Sequence, residues 1–334
     1  MKRFYKKGIS LFLILLMSFP LCACKSDDSK ALTTVKLNEV AHSIFYAPMY
    51  VAIEKGYFED EGIELSLTTG FGADKTMAAV VSGDADVGFM GTEASIYAYT
   101  EGAKDHVINF AQLTQRAGNF VVARENTDSF SYEDMIGKDV LGGRAGGTPE
   151  MVYEYVLREN GVSPSEVKID QSIDFGSTAA AFSGGQGDYT IEFEPSATAL
   201  EQSGDGYVVA SIGVDSGYLS YTAFCAKESY LKENADLIQH FTNALQKGMD
   251  YVAGHSPEEI ASVIAPQFSE TDLKTLTLIV SRYYDQETWN TDLILREEGY
   301  DLMLTILEES GVLSGAAPYE DLVNTDFAEK ASTL

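Results

Sequence analysis

The feature that most constrains the fold of this chain is a short pattern that it contains twice. Residues 71–95 read FGADKTMAAVVSGDADVGFMGTEAS, and residues 175–197 read FGSTAAAFSGGQGDYTIEFEPSA. Each copy has a Phe-Gly pair, a small-residue segment with helical spacing, a glycine turn, an Asp and a short strand. Asp86 and Asp188 lie 102 positions apart and align the two copies. The repeat predicts two similar α/β units within one chain.

Strands and helices alternate along both units. Such alternation across short turns is typical of a mainly parallel sheet that helices cover on both faces, so the predicted fold class is α/β. We predict strands at 33–40, 63–69, 87–90, 107–112, 119–123, 140–141, 167–173, 189–192, 207–212 and 219–226. The amphipathic spacing of the last third predicts helices at 234–253, 257–265, 271–284 and 296–310.

Two crossings between the units, near 123–128 and 213–221, are expected to divide the chain into lobes. On this division lobe I comprises 33–124, lobe II comprises 125–216, and 217–334 returns to lobe I with the C-terminal helices. Ligands of open α/β sheets bind beyond the carboxyl ends of the strands. Two such edges that face each other would therefore form a ligand cleft.

The segment 1–23 is predicted to be a signal peptide. A basic stretch, MKRFYKK, precedes an apolar stretch that is too short and wrongly flanked for a stable membrane span. The LCAC sequence at 21–24 resembles a bacterial lipobox, which implies that Cys24 carries a lipid such as palmitate and that 24–32 is a tether. The alternative is an ordinary signal peptide that is cleaved nearby.

Composition excludes several classes of protein. A hydrophobic content of 45% with 11% aromatic residues is that of a globular chain. The net charge of −28 repels phosphate backbones, which argues against nucleic-acid binding. Of three cysteines, Cys225 alone lies outside the LCAC segment, so it has no partner for a disulfide or a metal cluster. Its apolar neighbours predict a buried packing thiol.

Three segments resemble the solute-binding proteins of ABC importers for nitrate, sulfonates, taurine and thiamine pyrimidine precursors. They are FYAPMYVAIEKGYFEDEGIELSL at 45–67, SGDADVGFMG at 82–91 and GQGDYTIEFEP at 185–195, and the resemblance extends over 33–323. It implies a two-lobed, type II-like periplasmic binding protein whose two-segment hinge closes on a small solute. It also implies a lipid-anchored extracytoplasmic monomer that delivers this solute to an ABC permease with a cytoplasmic ATPase.

Candidate ligand-binding residues of the first lobe lie at strand ends. The family commonly places pocket residues after the first strand, where this chain has two aromatic residues that could instead be core. Glycines at other strand ends allow close approach of the backbone. Glu93, at the start of a predicted helix, either lines the cleft or simply interacts favourably with the helix dipole. The candidates are Phe45, Tyr46, Gly70, Phe71, Gly91, Thr92 and Glu93.

The loop GGRAGGTP at 142–149 is the best single site candidate in the second lobe. Its glycines free the backbone, and its Thr-Pro pair suits the start of a helix. A nest of N–H groups there would hold a carboxylate, phosphate or carbonyl oxygen of a ligand. The loop matches neither a Walker A sequence nor a dinucleotide fingerprint. The candidates in it are Arg144, Gly146, Gly147 and Thr148.

Two acids close the second copy of the repeat. Glu192 and Glu194 lie on the same side of a predicted strand, and at least one is expected to accept hydrogen bonds from a ligand amine or amidine. Solvated carboxylates are the alternative. Asp174 and Asn119 are weaker candidates, and Trp289 either edges the cleft or, as we favour, packs in the core.

The balance of charges bears on the choice of ligand. A binder of sulfonate or nitrate should supply cations or clustered N–H groups, yet Arg144 and Arg116 are the only evident cations among the candidates. The candidate acids suit an N–H-rich solute instead. We expect a thiamine-related aminopyrimidine precursor, stacked on Tyr46 or Phe45. A guanidinium or amine, and a sulfonate or nitrate, are the alternatives.

The main rival to a carrier is an enzyme, because the N-terminal segment is also similar to fungal-type thiamine pyrimidine synthases. Those enzymes need a pocket His and a Cys-rich iron-binding stretch, whereas Tyr46 stands at that position here and one free Cys remains. The four histidines have no metal-ligand spacing, and no hydrolase or zinc-protease motif occurs. We expect no catalysis, no cofactor and no metal. A sensory lipoprotein that lacks a transporter is a third alternative.

Overall fold

The computed structural model describes residues 32–127, 129–173, 175–313 and 315–334. Cys24 and the predicted signal peptide lie outside the described residues, and so does Asp174. The described chain forms two five-stranded sheets flanked by helices, which confirms the predicted two-lobed α/β fold. No helix in these ranges is long and apolar enough to span a membrane.

Each lobe is built on one sheet. The ten strands are β1 (Thr33–Glu39), β2 (Ile63–Thr69), β3 (Val87–Gly91), β4 (Val107–Thr114), β5 (Asn119–Ala123), β6 (Asp139–Leu141), β7 (Lys168–Asp170), β8 (Tyr189–Phe193), β9 (Tyr207–Ser211) and β10 (Thr222–Lys227). The sheets have the orders β2–β1–β3–β10–β4 and β7–β6–β8–β5–β9. One strand of each, β10 and β5, is antiparallel to both of its neighbours. The sheets are therefore mostly parallel and have matching topologies.

Helices cover the sheets and fill the C-terminal third. They are α1 (Ala47–Glu54), α2 (Tyr57–Asp60), α3 (Ala73–Ser82), α4 (Glu93–Thr100), α5 (Thr148–Glu159), α6 (Phe175–Ser183), α7 (Ser196–Ser203), α8 (Ile212–Ser216), α9 (Glu228–Glu233), α10 (Ala235–Gly254), α11 (Pro257–Ile264), α12 (Leu273–Asp285), α13 (Glu297–Glu309), α14 (Tyr319–Leu322) and α15 (Asp326–Ala331). Short 3-10 helices occupy Ile44–Tyr46, Tyr132–Met135, Pro164–Glu166 and Ala265–Phe268. The four helices predicted after residue 230 are confirmed as α10 to α13.

The repeated sequence has the same structural role in both lobes. β3 and β8 each occupy the third position of their sheet. The Asp86 carboxylate accepts the N–H of Lys36 at 2.9 Å, and the Asp188 carboxylate accepts the N–H of Asp139 at 3.1 Å. Each Asp thus ties the start of the third strand to the neighbouring strand. The repeat marks two equivalent strand edges, as the sequence predicts.

The first crossing between the sheets comes earlier than the predicted division. It spans 115–118, between β4 of the first sheet and β5 of the second. β5 pairs with β8 and β9, so Asn119–Ala123 belongs to the second sheet although the sequence division assigned it to lobe I. The second crossing, at 217–221, falls within the predicted region and leads into β10 of the first sheet.

Helix α12 connects the two lobes a third time. Its Tyr283 hydroxyl donates to the Gly118 carbonyl at 3.1 Å and lies 3.3 Å from the N–H of Glu194. Its Arg282 pairs with Glu194 and, at 2.5 Å, with Glu201 of α7 in the second lobe. The same helix contacts α11 and the 3-10 helix before α1 in the first lobe. The C-terminal segment is therefore a structural part of the junction between the lobes.

Candidate functional site

The candidate site lies where strand ends of the two lobes meet. The ring of Phe45, which follows β1, lies 6.3 Å from the ring of Phe193 at the end of β8. The Tyr97 hydroxyl of α4 lies 4.0 Å from the sulfur of Met151 in α5. These contacts join the two lobes beside the strand ends, which is where α/β sheets bind their ligands.

Four buried polar atoms at this junction have no hydrogen-bond partner among the described residues. They come from the start of α4, the start of β5, the start of α5 and the second crossing, and they are Glu93 Oε2, Asn119 Oδ1, Thr148 Oγ1 and the Tyr221 hydroxyl. A buried polar atom left unpaired costs about 1–3 kcal/mol, so native structures contain few of them. The described chain has four other such atoms, Arg116 Nε, Arg158 Nη2, Gln239 Oε1 and Gln246 Oε1, but the four at the strand ends are the strongest indication of a ligand site.

Glu93 is the charged member of this group. It is 8% exposed, and burial raises the pKa of its carboxyl to about 7, while the neighbouring Thr148 hydroxyl acts in the opposite direction. Gly91 permits this placement, because a Cβ there would collide with the carboxylate. Thr148 belongs to the other lobe, so the carboxylate faces across the cleft. The predicted candidates Glu93 and Thr148 are thus brought together.

Aromatic side chains form the wall beside Glu93. Tyr46 is 5% exposed and packs edge-on against Phe89 with ring centroids 4.5 Å apart. Burial, then the charges of Glu39 and Glu93, raise the pKa of the Tyr46 phenol. Burial also raises the pKa of the Tyr221 phenol, and Tyr46 and Glu93 add to that shift. The two tyrosines and the acid therefore form one group.

Phe45 lies behind this wall and is core. It is 1% exposed and contacts the rings of Tyr221 and Tyr283 at 5.7 and 5.1 Å. The buried Trp289 donates its indole N–H to the Phe45 carbonyl at 2.9 Å. Of the alternatives that the sequence left open, the structure places Phe45 in the packed interior, whereas Trp289 is buried but also borders a cavity.

Asn119 and Thr148 present the acceptors of the second lobe. The Asn119 amide donates to the Pro149 carbonyl at 3.3 Å. Since a carbonyl can only accept, this contact orients the amide and leaves Oδ1 as the unpaired atom. Thr148 begins α5 at the end of the glycine loop and is 5% exposed. Asn119, a weak candidate from the sequence, is one of the better placed residues.

The two acids of the second repeat differ from each other, and only Glu194 departs from the predicted role. Both oxygens of Glu194 are occupied, by the N–H and hydroxyl of Thr198 at 3.0 and 2.9 Å and by Arg282. Glu192 is 1% exposed and accepts from Thr190 at 2.6 Å, and burial raises the pKa of its carboxyl to about 7. The structure commits Glu194 to the fold, so it does not offer a ligand a free acceptor.

The glycine loop also differs from the predicted anion nest. The N–H of Gly146, a residue with φ of +75°, donates to Glu150 of the same chain at 3.2 Å. Arg144 is exposed. Arg116 is bound at the crossing, where it donates to the Gly213 carbonyl at 3.0 Å and pairs with Glu287 at 3.3 Å. Neither predicted cation adds a buried positive charge to the four unpaired atoms.

The remaining candidates lie at the margin or act in packing. Phe71 is 76% exposed with a left-handed φ of 56°, and Gly70 beside it is half-buried. Thr92 is buried and donates to the Ser220 carbonyl at 2.5 Å, which anchors the end of β3 to the second crossing. Cys225 is buried and free, as predicted.

Sequence reasoning missed Tyr221 and Glu150. Tyr221 lies in the second crossing, in an extended segment whose period does not distinguish a cleft residue from a core residue. Glu150 lies in the first turn of α5, where an acid is ordinarily favourable to the helix dipole. The one sequence signal that could have indicated a site role for either residue is its position directly beside a predicted turn.

Two cavities lie away from the four unpaired atoms. One of about 710 Å³ borders the crossings and the segment after α12, with Tyr218, Glu287 and Trp289 in its wall. Another of about 370 Å³ lies beside β1 and β2 and includes Glu39 and His42. Glu287 is paired with Arg116, and Glu39 accepts from Tyr50 and Thr69, so these acids already have partners. Within the described residues no group of His, Cys, Asp or Glu could hold a metal ion.

Comparisons with known proteins agree with this architecture. The NMT1/THI5-like family model matches residues 44–260. The chain is 43% identical over 334 residues to YtlA of Bacillus subtilis (strain 168), which is named as a candidate binding protein. The alignment covers 100% of this chain and 99% of YtlA. It is 27% identical over 244 residues to the riboflavin-binding protein RibY of Chloroflexus aurantiacus, and that alignment covers 71% of this chain and 66% of RibY.

A solved structure shares the fold at low identity. The periplasmic aliphatic sulphonate-binding protein SsuA from Escherichia coli matches with a TM-score of 0.70 and 16% identity, over 86% of this chain and 96% of that one. The family resemblance drawn from the three sequence segments is thereby confirmed.

Proposed function

Because the chain belongs to the NMT1/THI5-like family and is an extracytoplasmic solute-binding protein of the ABC-importer type, we propose that it captures an N–H-rich heteroaromatic solute. A thiamine-related aminopyrimidine is the first choice. Its flat ring suits the tyrosine wall of Tyr46 and Tyr221, and its amino group suits the acceptors at the cleft. The relatives are binding proteins, which agrees with a carrier rather than an enzyme.

The buried and unpaired Oε2 atom of Glu93 carries this proposal. When its carboxyl is ionised, Glu93 Oε2 can only accept hydrogen bonds, as Asn119 Oδ1 does, whereas the hydroxyls of Thr148 and Tyr221 can donate or accept. An exocyclic amino group supplies two donors, and a pyrimidine ring nitrogen supplies an acceptor. With two donors and two ring nitrogens, one rigid aminopyrimidine has enough groups to pair with all four atoms, and a hydrogen bond to an ionised Glu93 is charge-assisted.

The shortage of available cations supports the same class of solute. Arg282 is paired with two acids, Arg116 is bound at the crossing, and Arg144 is exposed. A sulfonate or nitrate in this cleft would meet Glu93 without a buried cation beside it. Isolated buried charges of one sign are costly, so the acidic cleft disfavours anions.

The named ligands of the related proteins point in different directions. RibY is named for riboflavin, a heteroaromatic compound with a ring N–H, and it is related to this chain in sequence. SsuA is named for sulphonates, and its likeness at 16% identity concerns the fold alone. We therefore keep riboflavin as the second ligand of the proposed class and sulfonates as the rival class.

Capture would follow the closure of two lobes around the solute. The ligand shifts the open–closed equilibrium only by its differential affinity for the closed form. Ligand contacts to Glu93 in one lobe and to Thr148 in the other supply that difference. The closed complex would then dock on an ABC permease, with the protein held at the membrane by a lipid on Cys24.

A thermal-shift panel tests the proposal. Residues 25–334 would be melted with aminopyrimidine thiamine precursors, riboflavin, guanidine, taurine, other sulfonates and nitrate. A ligand at about one hundred times its dissociation constant stabilises the native state by roughly 2.7 kcal/mol, which gives a clear rise in melting temperature. A rise with aminopyrimidine or riboflavin is expected. A rise only with sulfonate or nitrate would refute the proposed class.

The transport role needs a test in cells. Deletion of the gene should abolish uptake of the ligand that the panel identifies, and uptake should return when the gene is restored. Normal uptake in the deletion strain, with a lost response to the ligand, would favour a sensor.

A further inference from the structure

Glu150 accepts a hydrogen bond from the glycine loop that leads into α5. It lies in the first turn of α5 and is 3% exposed. One carboxylate oxygen accepts the N–H of Gly146 at 3.2 Å, and the other accepts from the Gln171 amide at 2.5 Å. Glycine loops that lead into a helix are ready-made sites for anions, because their N–H groups and the helix dipole favour negative charge. Here a side chain of the protein fills that role.

We propose that Glu150 determines specificity by excluding anionic solutes: its carboxylate occupies the loop amide that a sulfonate or nitrate would use. This inference rests on the proposed class of N–H-rich solutes and adds a residue that enforces it. The exclusion acts in two ways. The N–H of Gly146 has no free valence for a second acceptor. Above the pKa of the Glu150 carboxyl, which burial raises to about 7, an incoming anion also meets its like charge.

Thr148 shows that this loop faces the ligand cleft. Its hydroxyl is unpaired, its side chain is 5% exposed, and it lies next to Glu93 of the other lobe. Thr148 stands two residues before Glu150 on the same helical turn. An anion held by the loop would therefore lie within the same cleft as the solute, rather than at a separate surface.

The neighbouring acid Glu154 supplies a matched control. It lies one helical turn beyond Glu150 on α5, and its side chain is 23% exposed and paired with Arg158 at 3.4 Å. Its carboxyl hydrogen-bonds to that of Glu150, but it is Glu150 that accepts the N–H of Gly146 in the loop. Glu154→Gln removes the same charge from the same helix without vacating the loop amide.

Calorimetric titration with methanesulfonate, taurine and nitrate would test the role of Glu150. The wild type, Glu150→Ala, Glu150→Gln and Glu154→Gln would each be titrated to millimolar ligand, after circular dichroism confirms the fold. We expect Glu150→Ala to bind methanesulfonate at least about tenfold more tightly than the wild type, with a smaller gain for Glu150→Gln and none for Glu154→Gln. If Glu150→Ala does not fold, the isosteric Gln variant decides.

Three results would overturn the inference. They are a folded Glu150 variant that gains no affinity for anions, an equal gain in Glu154→Gln, and a wild type that binds methanesulfonate as tightly as the variants. An aminopyrimidine titration of the same proteins separates this outcome from failure of the proposed function. If the wild type binds aminopyrimidine and the Glu150 variants gain no affinity for anions, the role of Glu150 is refuted and the proposed solute class stands. If the Glu150 variants gain affinity for anions but the wild type does not bind aminopyrimidine, the proposed solute class is refuted and the role of Glu150 stands.

Discussion

The ends of β3 and β8 are equivalent in topology but differ in what their acids do. Both strands hold the third position of their sheets, and an Asp ties each to its neighbour in the same way. Glu194, after β8, has both oxygens paired with Thr198 and Arg282. Glu93, after β3, has a buried oxygen with no partner in the described chain. The repeat thus supplies two similar frames, of which one edge leaves a buried acceptor unpaired and the other locks the lobe to α12.

The largest expected effect follows from breaking the locked edge. Glu194→Gln leaves Arg282, which is 19% exposed, with Glu201 as its remaining charged partner. Loss of one member of a buried ion pair costs about 3 kcal/mol of unfolding free energy. Urea unfolding at pH 8 would measure this, with Glu201→Gln as the control for a more exposed partner. Unchanged stability would mean that the pair does not lock the edge.

The open edge should show the opposite pattern. Glu93→Gln removes an unpaired buried charge, so the free energy of unfolding should stay equal or rise. Affinity for the aminopyrimidine should fall about tenfold to a hundredfold, since a hydrogen bond to a charged group contributes roughly 1.5–3 kcal/mol. Calorimetry on both Gln variants measures the contrast. Equal affinity in Glu93→Gln and the wild type would contradict the assignment.

The pH dependence of stability sharpens the same contrast. Burial raises the pKa of Glu93 from 4.5 to about 7, so between these values the folded state binds more protons than the unfolded state. The free energy of unfolding of the ligand-free protein should therefore fall as the pH rises from about 4.5 to 7. Glu150 and Glu192, whose pKa values are also raised to about 7, contribute in the same direction.

Urea unfolding at pH 5 and pH 7.5 isolates the contribution of Glu93 to this change in unfolding free energy. The wild type should lose more stability than Glu93→Gln between the two pH values, because the variant lacks that carboxyl. Parallel losses in the two proteins would show that Glu93 ionises at its ordinary pKa.

The smallest effect is expected at a contact between helices. Arg158 of α5 pairs with Glu309 of α13 at 2.9 Å, with side-chain exposures of 27% and 37%. Because exposed pairs contribute about 0.2–1 kcal/mol, Arg158→Gln should weaken solute binding only about twofold to threefold, if closure uses this contact. Calorimetry against Lys232→Gln, which removes a pair on the distant helix α9, gives the control. A tenfold loss would mean that the contact is part of the site.

Local patterns predicted most of the frame. The helices α10 to α13 have strongly amphipathic sequences, and the repeat fixed the correspondence between β3 and β8. Partners that are distant in sequence could not be read from local patterns. The pairing of β5 with β8, and the ion pair of Glu194 with Arg282, depend on how the chain crosses between the lobes.

The candidate site was predicted only in part for the same reason. Glu93, Tyr46 and Thr148 stand beside glycine turns that mark strand ends, so the sequence points to them. Whether an acid is free or paired depends on tertiary contacts, and this is why Glu194 resembled Glu93 before the structure was known. Glu150 carried the ordinary signature of a helix start and gave no sign of its contact with the glycine loop.

A crystal structure of residues 25–334 with the tightest ligand of the panel would show which atoms hold the solute. We expect a ligand N–H at about 2.7–2.9 Å from Glu93 Oε2, with the ligand ring against Tyr46 and Tyr221. A ligand held by Arg144 or in the 710 Å³ cavity beside Tyr218, with Glu93 still unpaired, would contradict it.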